Sequence, residues 1–324
     1  MGRALKWLIG FGAMVALAAG VLFAGGWWFG SAVEEDTPVI VSQGSTLTSV
    51  AEQLEYAGVI DPTPNLFLIR ARVLGGSDPV QAGEFLIPAG ATQADILAQL
   101  QNGDVIRRFV TIPEGTPSVI VHDILMAEEL LTGSLEVPPE GSVLPNTYDF
   151  ERGETREAVV TRMQAAMGRA IDELWPQRSP RAVVKTPEEA LVLASIVEKE
   201  TGKPSERRMV AGLYSNRVRE GMFLQADPTI IYPITRGRPL GRRIRRSEIA
   251  AINDYNTYSM AGLPRGPITN PGRESIAAVL DPAETDALYM VADGTGGHEF
   301  NETLAGHNAA VERWFAIRRE RGEM

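Results

Sequence analysis

Residues 186–200 read TPEEALVLASIVEKE, and the organisation of the second half of the chain follows from them. Thr186 suits a helix N-cap, Pro187 the first helical position, and Glu189 the closing acid of a capping box. At about 100° per residue, Leu193, Ile196, Val197 and Glu200 fall on one stripe, and Glu198 points almost the opposite way. This spacing predicts a buried stripe that ends in the Glu200 carboxyl, with Glu198 in solvent. Burial disfavours the charged form of a carboxyl and raises its pKa. A carboxylic acid still protonated near neutral pH is what general-acid attack on a glycosidic bond needs. The same pattern also fits a helix-terminal glutamate held in an ion pair by Lys203, Arg207 or Arg208.

Working outward from that helix, polar and aromatic residues crowd the chain that follows. They come as Tyr214, Asn216 and Arg217, then Leu224-Gln225-Ala226-Asp227-Pro228-Thr229, then Tyr255-Asn256-Thr257-Tyr258 and Gly262-Leu263-Pro264. Aromatic faces stack on pyranose rings, and amides bond hydroxyl and acetamido groups. Asn216, Gln225, Tyr255, Asn256 and Tyr258 are therefore candidates for holding sugar, and Asp227 for a second carboxylate. Taken singly, each also fits turn structure or core packing. Residues 236–246 hold six arginines. That run suits a solvated loop, or one that meets anionic groups such as peptide carboxylates or lipid head groups.

Composition removes several function classes. The 324 residues carry a formal net charge of −10, which disfavours nucleic acid as a partner. The absence of cysteine excludes disulfides, thiolate metal sites and cysteine nucleophiles. The three histidines, His122, His298 and His307, form no HExxH pattern, so a His-rich metal site is not expected.

Upstream, the uncharged run WLIGFGAMVALAAGVLFAGGWWFG (7–30) is long enough to cross a hydrocarbon core of about 30 Å. Arg3 and Lys6 precede it, and Glu34, Glu35 and Asp36 follow. Positive charge stays in the cytoplasm, which predicts a single-pass anchor in the cell inner membrane with the rest of the chain in the periplasm. Trp7, Trp27 and Trp28 are placed where interfacial rings are expected. A cleaved signal peptide is the alternative, with Gly30-Ser31-Ala32 as a poor cleavage site.

Between anchor and helix, one template recurs. Val41-Ser42-Gln43-Gly44-Ser45-Thr46 leads to Leu54, Ile87-Pro88-Ala89-Gly90-Ala91-Thr92 to Leu100, and Ile112-Pro113-Glu114-Gly115-Thr116-Pro117 to Leu125. Each copy predicts strand, glycine turn and capped helix, so small α+β units are expected. The first copy resembles a LysM-like module, a class that binds N-acetylglucosamine polymers; a packing module without sugar affinity fits as well. Residues 140–148 read as a loop, and 155–174 as a helix within a connector.

The string Ala194-Ser195-Ile196-Val197-Glu198-Lys199-Glu200-Thr201 resembles the signature of the YceG-like family of endolytic murein transglycosylases. Ser205-Glu206-Arg207, Asn216-Arg217, the Leu224–Thr229 and Tyr255–Tyr258 blocks, Gly262-Leu263-Pro264, and Tyr289–Gly294 with His298 and His307 match in order. Arg265 departs from the family, which commonly has proline after Gly-Leu-Pro. The resemblance implies an α+β chain in four parts: an anchor (1–31), a LysM-like module (38–128), a connector (129–185) and a mixed α/β catalytic domain (186–324). It implies Glu200 as the one catalytic acid/base, and cleavage of the β-1,4 bond between N-acetylmuramic acid and N-acetylglucosamine to leave 1,6-anhydro ends. It also implies peptidoglycan glycan strands as substrate, no metal or organic cofactor, strand termination as the role, and peptidoglycan synthases as partners. The readings left beside it are a hydrolytic muramidase using Glu200 and Asp227, and a non-catalytic wall-binding scaffold.

Overall fold

A computed structural model describes residues 2–42 and 44–323, and the chain forms two compact units. The first comprises residues up to Arg108 together with 149–153; the second comprises 109–148 and 154 onward. In the first unit, α1 (Arg3–Trp28) precedes β1 (Thr37–Val41), α2 (Leu47–Tyr56), α3 (Pro64–Leu74), β2 (Gly83–Ile87) and α4 (Gln93–Asn102). Within the α1 segment Leu5–Trp28 an 18-residue stretch has a mean hydropathy of 2.2, and the segment's length and composition suffice to cross a membrane.

The expected repeat is present in the backbone. Gly44, Gly90 and Gly115 all take left-handed φ, at 79°, 80° and 71°. Thr46 and Thr92 cap α2 and α4 through reciprocal boxes with Ser49 and Asp95. Gln43 of the first copy lies outside the described residues. The third copy departs at its cap: Pro117 occupies the position, and the hydroxyl of Thr116 donates to the Pro113 carbonyl instead. Nothing lies within 4 Å of a Cβ built on Gly90, so Gly90→Ala isolates the left-handed strain. It is expected to lower unfolding free energy in urea by about 1 kcal/mol.

β1 and β2 pair antiparallel, Val39 opposite Phe85, and lie over α2 and α4. Val50, Leu54, Phe85 and Leu100 are fully enclosed there. Trp27 joins this core, its ring 5.9 Å from that of Phe67. The interfacial position expected for Trp27 is therefore corrected: the last turn of α1 packs against folded protein.

The chain passes into the second unit within β3 (Arg107–Thr111), which pairs with β4 (Thr147–Glu151). Between these strands lies α5 (Ser118–Ala127), and after them come α6 (Arg156–Leu174), α7 (Pro187–Glu200), α8 (Arg207–Arg219), α9 (Pro228–Thr235), α10 (Arg246–Ile249) and α11 (Arg273–Leu280). The antiparallel pair β5 (Tyr289–Ala292) and β6 (His298–Asn301) and helix α12 (Leu304–Glu320) close the chain.

The α+β class holds, but the expectation of a mixed α/β catalytic part is corrected. Its sheets are two-stranded ribbons, and its core is helical, with α7 packed on α8 and α11. Met167, Ala170 and Ile171 of α6, within the stretch 129–185, also belong to that core. Strand β4 begins at Thr147, inside the stretch expected to be loop.

Candidate active site

Thr186 caps α7 by accepting the Glu189 N–H, with Pro187 at the first position, as its sequence requires. The Glu189 carboxylate does not return to the cap residue; it takes the Lys185 N–H at 2.6 Å. α7 is buried nearly all round, from Ala190 to Val197. Glu198 is consequently not in solvent. Its side chain is 5% exposed, accepts the Gly272 N–H at 2.9 Å and lies 3.7 Å from Arg207. An acid so close to a backbone donor and a guanidinium holds the neighbouring segment in place and has no open face for chemistry.

Glu200, the last helical residue, is different. The cations that follow it in sequence are engaged elsewhere: Arg207 with Glu114, Arg208 with Asp281, and Lys203 with Glu206. Glu200 instead lines a cleft of about 230 Å³ with Leu213, Tyr214 and Arg217 of α8, Gln225, Asp227, Tyr258 and Met290. Burial first, and the neighbouring charge of Asp227 second, push the Glu200 carboxyl up to about 7. A hydrogen bond from the Tyr214 hydroxyl and the charge of Arg217 oppose that rise without cancelling it.

The far side of the cleft is built by two sequence blocks locked together. The Gln225 N–H donates to the Thr257 carbonyl at 3.0 Å, and the Ala226 N–H to the Thr257 hydroxyl at 3.1 Å. The buried hydroxyls of Thr229 and Thr257 meet at 2.8 Å. This clasp holds Gln225 at a left-handed φ of 52° and leaves its side chain exposed at the cleft. Tyr258 donates its hydroxyl to Asp227 at 2.7 Å, and burial raises the phenol's pKa further above its ordinary value.

Of the residues expected to hold sugar, the structure brings Gln225, Asp227 and Tyr258 to Glu200. Asn216 is spent on the Thr285 and Ala287 carbonyls, at 2.7 and 3.1 Å. Asn256 is fully buried and donates to the Ile249 and Ala251 carbonyls, at 2.9 and 2.6 Å. Tyr255 packs its ring 4.9 Å from that of Tyr232. Because Asn256 serves buried carbonyls, Asn256→Ala is expected to cost on the order of 2–3 kcal/mol of stability in thermal unfolding.

Tyr214 and Arg217 were not among the sequence candidates. Arg217 donates to the Leu224 carbonyl at 2.6 Å and the Leu288 carbonyl at 2.7 Å, and lies 5.6 Å from the Tyr289 ring centre. It thereby fixes its charge beside Glu200 and ties the cleft loop to β5. The residue that departs from the family pattern, Arg265, is exposed and pairs with Asp254 at 3.3 Å.

The YceG-like family profile matches residues 39–313. The chain belongs to the YceG-like family. An endolytic murein transglycosylase of Bacillus subtilis is 26% identical over 71% of this chain and 60% of its own length. One from Streptococcus pneumoniae strain D39 is 28% identical over 79% of this chain and 54% of its own length. The chain thus spans little more than half the length of these relatives. The crystal structure of a yceG-like protein from Listeria monocytogenes superposes with a TM-score of 0.53 at 26% identity, covering 85% of this chain and 98% of that one.

Proposed function

We propose that this YceG-like chain is an endolytic peptidoglycan lytic transglycosylase with Glu200 as its only acid/base. The observation that carries the reading is a half-buried carboxyl, in ion-pair contact with no cation among the described residues, held near pKa 7 in a polar cleft. The names of its relatives support the substrate class.

In the proposed reaction Glu200 gives its proton to the bridging oxygen between N-acetylmuramic acid and N-acetylglucosamine, and the bond from that oxygen to muramic acid C1 breaks. The muramic acid C6 hydroxyl then bonds to C1 and returns its proton to the Glu200 carboxylate. One carboxyl serves both steps because the nucleophile belongs to the substrate, and its attachment supplies proximity. Gln225, Asp227 and Tyr258 hold the sugar, the Asp227 carboxylate facing the positive charge that develops at C1. Asn216, Tyr255 and Asn256 support that wall from behind.

The proposal extends to placement. α1 is a single-pass anchor in the cell inner membrane, and Arg3 and Lys6 ahead of its uncharged run put the folded units in the periplasm. There the enzyme would terminate nascent strands beside peptidoglycan synthases, with the first unit acting as a LysM-like module for N-acetylglucosamine.

Mass spectrometry of the products is the test: 1,6-anhydro-muramyl ends are expected. Reducing muramic acid ends would overturn the reading in favour of hydrolysis, which the closeness of Asp227 to Glu200 makes the specific rival.

A further inference from the structure

α9 joins two cavities. Asp227, just before its first turn, lines the Glu200 cleft. Tyr232 on α9 and Arg236, which ends it, line a second cavity of about 360 Å³ with Val119, Val137, Pro139 and Glu140. Nine residue steps at 1.5 Å separate Asp227 from Arg236, or about 13 Å along the helix axis, a distance that one substrate strand and its side branch can cover.

Arg236 has an unusual backbone. Among the described residues only two non-glycine positions have positive φ, Gln225 at 52° and Arg236 at 56°. Left-handed backbone is disfavoured for a residue with a side chain, and persists where the surroundings impose it. Gln225 faces the Glu200 cleft; Arg236 faces the second cavity. The next residue, Gly237, also has positive φ, and a Cβ there would come within 2.6 Å of Pro117. The chain therefore turns tightly at this point and still presents an arginine.

The guanidinium is available. Its neighbours in the arginine run, Arg238 and Arg242, are neutralised by Asp123 and Glu248. Among the described residues Arg236 makes no ion pair. The acid that shares the cavity does not supply one, because Glu140 is satisfied by other donors. It accepts the Ser118 N–H at 2.9 Å, the Asn270 amide at 3.5 Å and the Tyr232 hydroxyl. Burial also raises its pKa, favouring its neutral form. The cavity thus offers one cation beside an aromatic ring and aliphatic walls, which suits a carboxylate on a short aliphatic chain.

We propose that this cavity binds the carboxylate-bearing peptide attached to the glycan strand being cut at the Glu200 cleft, with Arg236 pairing the carboxylate. The inference rests on the peptidoglycan reading above. It makes Arg236 a specificity residue for peptide-bearing over bare strands.

The test uses the full chain in detergent, glycan strands with their peptides, the same strands stripped by an amidase, and the peptide that the amidase releases. Arg236→Asn tolerates the left-handed backbone and removes the charge; Arg236→Gly relieves the strain, so misfolding cannot mimic the result. Both variants are expected to lose about tenfold in kcat/KM on peptide-bearing strands, the scale of one charge-assisted hydrogen bond, and nothing on bare strands. In calorimetry the released peptide should bind the wild type and the Glu200→Gln variant, and bind Arg236→Asn about tenfold more weakly. Equal losses on both substrates, unchanged cleavage of peptide-bearing strands, or no peptide binding by the wild type would overturn the inference. A wild type that binds the peptide but cuts neither substrate supports this cavity and sinks the lytic reading; one that does neither sinks both.

Discussion

Glu200→Gln is expected to lower cleavage of purified glycan strands by on the order of 10³-fold while making the protein more stable at alkaline pH. The first half follows because Gln keeps the shape and the Tyr214 contact but has no proton to transfer. The second follows from linkage. The folded pKa of Glu200 is raised from 4.5 to about 7, so between those values the native state binds the proton more tightly than the unfolded chain does. Stability from this group is therefore complete below pH 4.5 and falls as pH rises through 7. A rise from 4.5 to about 7 corresponds to roughly 3 kcal/mol on the alkaline side, as an order of magnitude for a group that still meets the cleft. Gln carries no such cost. Denaturant unfolding at pH 8 and pH 4 checks it: the variant should gain over the wild type at pH 8 relative to pH 4. A variant that cuts strands at the wild-type rate would remove Glu200 from the mechanism. A loss of activity accompanied by lower stability at both pH values would point to a structural role.

The parts of this site that were legible in the sequence are those set by local periodicity. A capped helix with a 3.6-residue apolar stripe placed Glu200 at the end of α7, and three glycines spaced alike placed three strand–turn–helix copies. Periodicity failed for Glu198, because α7 is buried on every side and the face opposite the stripe is not a solvent face. It failed again where polar residues serve long-range contacts. Asn216 and Asn256 have the right chemistry for sugar, but buried carbonyls from distant loops claim their amides, and no local pattern reveals that. Tyr214 and Arg217 could have been found. They lie three apart on α8 and so share a face, whereas Asn216, two residues from Tyr214, points elsewhere. The helical character of the second unit was missed for a simpler reason: strands of four or five residues leave little alternation to read, and nothing local distinguishes a two-stranded ribbon from the edge of a larger sheet.

The activity of the wild type is expected to have an alkaline limb near pH 7, falling about tenfold per pH unit above it, so that by pH 9 about one part in a hundred remains. The direction is fixed by the role: only the protonated carboxyl can give a proton to the bridging oxygen. The position of the limb is set first by burial and then by the neighbours, and two substitutions should move it in opposite senses. Asp227→Asn removes the charge that raises the Glu200 pKa, so the limb moves toward lower pH. Tyr214→Phe removes the hydroxyl that stabilises the ionised form, so the limb moves toward higher pH, with burial of the ring unchanged. Initial rates on one strand preparation between pH 5 and 9 give all three profiles. The comparison separates the two carboxylates by function as well. If Asp227 activated water as a general base, its replacement would abolish the reaction at every pH rather than shift one limb. A displaced limb on a lowered but measurable plateau is the signature of a reaction in which Asp227 tunes and faces the sugar while Glu200 alone moves the proton.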